Sequence, residues 1–126
     1  MIIGIDPGRN IGVAFVHEDG RLERSEIITA PELAALEVPT GVTVVVGHST
    51  GSGDIQAALR GRGIPFVIVD ERNTSLEARE LYLRDHPPKG PMRLLPRGLW
   101  SPPRPIDDYA AYAIALRYLD QDHAPA

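Results

Sequence analysis

Residues 1–15 read MIIGIDPGRNIGVAF. Ile2 to Ile5 form a short apolar run that stops at Asp6-Pro7-Gly8, where proline and glycine favour a turn. The chain resumes with IGVAFVH, in which Ile11, Val13 and Phe15 alternate with Gly12 and Ala14. Alternation predicts a second strand, apolar on one face. Its other face, at Gly12 and Ala14, is bare enough for another element to pack close. Asp19-Gly20 is a hairpin-turn pair, and LERSEIITA (22–30) predicts a third strand near an edge of the sheet.

Beyond this opening, strands and helices alternate. PELAALEV (31–38) reads as a short helix with Pro31 in its first turn. VTVVVG (42–47) is β-branched and continuous, as a central strand covered on both faces should be. SGDIQAALRGRG (52–63) predicts a helix from about Asp54 that stops at Gly61 or Gly63. PFVIVD (65–70) reads as a further buried strand. TSLEARELYLRDH (74–86) predicts a helix, with Thr74 and Glu77 spaced as a capping box and Leu76, Leu81 and Leu83 as core. IDDYAAYAIALRYL (106–119) predicts a closing helix whose alanines allow close approach to a sheet. The expected fold class is α/β, a mixed sheet of three antiparallel strands followed by parallel ones, with helices on both faces. Ligand sites in such sheets lie beyond the carboxyl ends of the parallel strands.

The 126 residues suit one domain, 1–126, with one core. Without cysteine, disulfides, thiolate metal sites and cysteine nucleophiles are excluded. No apolar run approaches the ~18 residues of a membrane helix, and no secretory signal opens the chain. No membrane partner and a cytoplasmic location are therefore expected. The net charge of −4 is unevenly distributed. HPPKGPMRLLPRGLWSPPRP (86–105) carries Lys89, Arg93, Arg97 and Arg104 without an acid. This +4 segment leaves −8 on the rest of the chain. Its prolines keep it irregular, and such long loops commonly serve function.

Acids fall where a ligand site is expected. Asp6 ends the first strand, Asp70 and Glu71 follow the last, and Asp107 and Asp108 open the closing helix. Each has an ordinary alternative role: Asp6 as a turn residue, Asp70 as a cap, Asp107 and Asp108 as complements to the helix dipole. Were they to converge, their repulsion would call for protons or a cation. Oxygen ligands without cysteine favour Mg²⁺ or Mn²⁺, and paired metals of this kind serve phosphoryl transfer.

GIDPGRNIGVAF (4–15), VVVG (44–47), VDERNTSLEAR (69–79) and IDDYAAYAIALRYL (106–119), in this order, resemble the YqgF/RuvX family. That group has been named for Holliday-junction resolution or for pre-16S rRNA processing. The opening Asp-Pro-Gly is closer to the related RuvC resolvases. The resemblance implies an RNase H-like fold and divalent-metal cleavage of phosphodiesters in DNA or RNA. It implies Asp6, Glu71 and Asp107 as catalytic metal ligands, with Asp108 as a fourth candidate. The chain departs from the pattern after its central strand, where GHSTGSGD (47–54) stands in place of Gly-Leu-Pro.

Several neighbours are candidates for contact with nucleic acid. Arg9 and Arg72 flank the acids, and His48 and Ser49 open the loop after the central strand. Lys89, Arg93 and Arg97 supply charge, and Trp100 is a candidate to stack on an unpaired base. Two other functions compete with a nuclease. One is a nucleic-acid-binding module of the same fold with weak or no catalysis. The other is a serine hydrolase using Ser49 of GHSTG (47–51), with His86 or His123 as base. The chain is expected to be a monomer or a homodimer.

Overall fold

Two strands, β1 (Ile2–Asp6) and β2 (Ile11–Val16), pair antiparallel across the Asp-Pro-Gly turn, with Ile2 opposite Val16 and Asp6 opposite Gly12. In the computed structural model, residues 1–8, 10–48, 52–70, 74–87, 94 and 105–122 are described. The chain returns through the Asp19-Gly20 hairpin into β3 (Leu22–Ile28). Gly20 there has φ +93°, and the Asp19 carboxylate accepts from the Arg21 amide at 3.0 Å. This Arg21 amide bond, reinforced by the Arg21 guanidinium, lowers the pKa of Asp19. A register shift between Phe15 and Val16 bends the β2–β3 pair.

Helix α1 (Ala30–Ala35) then leads to β4 (Thr43–His48), which pairs parallel with β1. Helix α2 (Ser52–Gly61) leads to β5 (Val67–Asp70), parallel to β4. Helices α3 (Thr74–Asp85) and α4 (Asp107–Asp122) complete the described elements. The sheet order is β3-β2-β1-β4-β5, the mixed five-stranded arrangement expected from the sequence.

Alternation along each strand sorts the core into two layers. Ile3, Ile5, Ile11, Val13, Phe15, Val44 and Val46 face α1 and α2 through Leu33, Ile55 and Leu59. Ile2, Ala14, Val16, Val45 and Val69 face α3 and α4 through Ala78, Tyr82, Leu83, Tyr109 and Ile114. Residues on opposite sides of one strand therefore belong to different layers.

The second layer depends on two glycines. A Cβ built on Gly4 would lie 2.3 Å from the Ala111 carbonyl oxygen and 3.1 Å from the Ala115 Cβ. One built on Gly12 would lie 1.8 Å from the Asp107 carbonyl oxygen. The backbone of α4 thus rests directly on the sheet. The alanines at 111 and 115, both fully buried, make this contact possible on the helix side.

Four expectations are corrected. Strand β5 is an edge strand, not a buried one: Val67 and Ile68 remain 40% and 38% exposed, and only Val69 is buried. Among the described residues it has a sheet neighbour on one side alone. Leu76 is not core but 60% exposed, since α3 turns Ala78, Tyr82 and Leu83 inward. Helix α1 starts earlier and ends sooner than 31–38. Thr29 and Glu32 form a capping box, and Leu36 leaves the helix in an extended conformation. Arg62 then donates to the Leu33 and Leu36 carbonyls at 3.2 and 2.6 Å, replacing lost helical bonds. Helix α2 begins at Ser52, ahead of Asp54. The expected Thr74–Glu77 capping box falls on a Thr74 side chain outside the described residues.

Gly12→Ala is predicted to cost about 3 kcal/mol or more, because a Cβ at this site meets backbone and not a movable side chain. Urea unfolding should show a lowered midpoint with an unchanged slope. Gly53→Ala, within α2 and with nothing inside 4 Å of the added carbon, should leave stability unchanged or raise it by about 0.5 kcal/mol.

Candidate functional site

Asp6 is the last residue of β1, on the same side as Ile2 and Gly4 and hence on the α4 side of the sheet. Its partner across the antiparallel pair is Gly12. The first residue of α4, Asp107, rests its carbonyl on Gly12. Gly12 therefore joins the two acids: it is paired to Asp6 within the sheet and covered by Asp107 from above. On the other flank, Ile5 pairs with Val46, and the residue following Val46 is Gly47. Small residues thus stand in the strands on both sides of Asp6, at the carboxyl ends of the parallel strands β1 and β4.

Asp70 and Asp108 are the other described acids of the set. Asp108 is buried, 3% exposed, and accepts a hydrogen bond from the Ser25 hydroxyl on β3 at 2.8 Å. Asp70 ends β5 in register with His48. By alternation with Val46 and Val69, both lie on the α1–α2 side, opposite to Asp6. His48 is exposed at the same edge of the sheet as Asp6 but on its other face. Glu71, Arg9, Ser49, Arg72, Lys89, Arg93, Arg97 and Trp100 lie outside the described residues.

The donor chemistry of Asp6 and Asp107, hard carboxylate oxygens on rigid elements, fits Mg²⁺ or Mn²⁺. Among the described residues, no group of three or more His, Asp or Glu side chains could hold a metal ion.

The Pro-rich basic segment is rooted beside these acids. The His86 ring, at its start, stacks on Tyr82 with centroids 4.5 Å apart and meets Tyr109 edge-on at 6.0 Å. Tyr109 lies two residues beyond Asp107, and its hydroxyl donates to Asp85 at 3.1 Å. The end of α3 and the start of α4 are held together by this aromatic contact. Of the segment between them, Leu94 is described and is 87% exposed. His86, one of the two bases considered for a Ser49 hydrolase, is engaged in the same stack.

Arg117 was not singled out by its sequence context. It lies on α4, mostly buried, and donates to the Asp70 carbonyl at 2.9 Å and to the Glu77 carboxylate. One side chain thus ties the end of β5, the first turn of α3 and α4. An arginine within an alanine-rich helix signals a specific partner, but only the fold shows which one.

Comparison with solved structures finds the RuvC of Thermus thermophilus in complex with a Holliday junction substrate. It is 24% identical, with 98% of this chain and 96% of that chain covered and a TM-score of 0.51. A second Thermus thermophilus RuvC structure is 23% identical, with 96% and 95% covered and a TM-score of 0.49. No protein-family profile and no curated protein matches the chain. The match to the junction-bound structure and the sheet order give the class: the chain has the RNase H-like fold. Among the described residues no helix is long and apolar enough to cross a membrane.

Arg117→Met is predicted to lower stability by about 2 kcal/mol, the scale of charge-assisted bonds to a partly buried arginine. Arg117→Lys, which keeps the charge but not the fork, should recover less than half of this in urea unfolding.

Proposed function

We propose that this chain is a divalent-metal-dependent nuclease that hydrolyses phosphodiester bonds in structured nucleic acid. The observation that carries the proposal is the seat of Asp107 on Gly12, which brings the start of α4 to the end of β1 where Asp6 stands. Two carboxylates on rigid elements at this edge fit the chemistry of phosphoryl transfer. Four-way DNA is the first substrate to test, because the protein sharing this fold was solved on a Holliday junction. Precursor 16S rRNA is the second, from the resemblance to the YqgF/RuvX group.

Asp6 and Asp107 would hold the metal, with Glu71 as the third ligand. When bound, a divalent cation supplies charge neutralisation at the scissile phosphate and activates water for attack on phosphorus. The chain supplies position. Asp6 is fixed by strand pairing on both sides of β1, and Asp107 by backbone contact with the sheet. The +4 segment, held at its base by His86 and Tyr109, supports the proposal as a clamp for the phosphate backbone next to the acids. Its charge offsets the repulsion that an acidic domain would otherwise exert on nucleic acid. Two active sites are needed to resolve a four-way junction, so a homodimer is proposed for that substrate.

Cleavage of four-way DNA, single-stranded DNA, duplex DNA and precursor RNA should be compared with Mg²⁺, Mn²⁺ and EDTA. EDTA should abolish turnover. Asp6→Asn should reduce it at least about 100-fold, the upper range for loss of a supporting partner alone, while leaving the unfolding midpoint close to that of the parent. Cleavage that survives both treatments would overturn the mechanism. Salt-sensitive binding without turnover under either ion would instead identify a binding module.

A further inference from the structure

Asp107 and Asp108 are adjacent, and both have the chemistry of a metal ligand. Their surroundings differ. Asp107 is half-buried at the first position of α4, whereas Asp108 is enclosed and bonded to Ser25, 83 residues away in sequence. Ser25 lies on the edge strand β3, in register with Ala14 of β2. The bond therefore runs from the first turn of α4 over β2 to the strand beyond it. It acts on the same turn that Gly12 seats by contact.

A contact with Gly12 limits how closely the helix approaches but leaves the turn free to slide over the bare glycine surface. A hydrogen bond to the neighbouring strand removes that freedom. We infer that Ser25 and Asp108 form a positioning pair that fixes the first turn of α4 over Gly12, and so the place of Asp107, with Asp108 outside the ligand set. This rests on the proposed metal site for its consequence, but not for its geometry.

The test separates an anchor from a ligand, because asparagine can accept the Ser25 hydroxyl proton but is a poor substitute for a carboxylate on a hard cation. Mn²⁺ binding to the full chain should be measured by electron paramagnetic resonance, and hydrogen–deuterium exchange at the amides of Ala110, Ala111 and Tyr112. Asp108→Asn is expected to bind Mn²⁺ within about threefold of the parent, and Asp107→Asn to lose about 100-fold or more. Ser25→Ala should weaken Mn²⁺ binding about tenfold, as loss of a partner behind a ligand does, and should speed exchange in this turn. Ser25→Thr should restore both.

Loss of Mn²⁺ binding by Asp108→Asn equal to that of Asp107→Asn would overturn the inference by making Asp108 a ligand. Unchanged exchange in Ser25→Ala would overturn it by removing the anchor. A Ser25→Ala chain that no longer folds would do so too, since the bond would then carry the fold and not the position of one turn. If the parent chain binds no Mn²⁺, the metal proposal fails by itself, and the exchange comparison still decides whether the anchor exists.

Discussion

The contact between the backbone of α4 and the sheet at Gly4 and Gly12 is the constraint on which the rest of the structure depends. Helix and sheet ordinarily meet through side chains. Here two strand positions offer none, and the helix answers with alanines at 111 and 115. The outcome is a helix axis lowered onto β1 and β2. Tyr109 and Tyr112 can then reach outward to α3 and the hairpin, with the Tyr112 hydroxyl donating to the Gly20 carbonyl at 2.6 Å. Arg117, further along, reaches the end of β5. One close approach thus allows a single helix to touch elements spread across the sheet.

The same contact organises the candidate site. Carboxylates gathered at one edge repel each other, so flexible loops would let them drift apart. Asp6 is instead the end of a strand paired on both sides, and Asp107 begins a helix held from below by Gly12 and from the side through Asp108 and Ser25. Alternation sends His48 and Asp70 to the other face, so adjacency along the sheet edge is not adjacency in the site. The charge segregation has a corresponding logic: the acids all lie outside the 86–105 segment, which carries four basic residues and no acid between α3 and α4.

Much of this was legible in one dimension. Element order follows from periodicity, and the alternation of Ile11, Val13 and Phe15 with Gly12 and Ala14 foretold both the face and the close neighbour. The Asp19-Gly20 hairpin follows from local turn chemistry. What the structure changed depends largely on where each element sits in the fold. PFVIVD has the composition of a buried strand, yet β5 is at an edge, because strand order and not strand content sets how many neighbours cover it. Leu76 has the composition of core but falls on the outward side of α3. Thr29 and Glu32 have the same capping-box spacing as Thr74 and Glu77, and they form the box at the start of α1.

The amino-acid sequence by itself determined the strands, the helices, the absence of thiol chemistry and the set of acids from which a site can be built, because each follows from residue type and local spacing. It placed Asp107 ahead of Asp108 only through the family resemblance. The tertiary structure gave the two different surroundings, by laying one beside Gly12 and closing the other against Ser25. That difference arises from how a helix sits on a sheet, a relation among residues 83 apart that no local pattern contains.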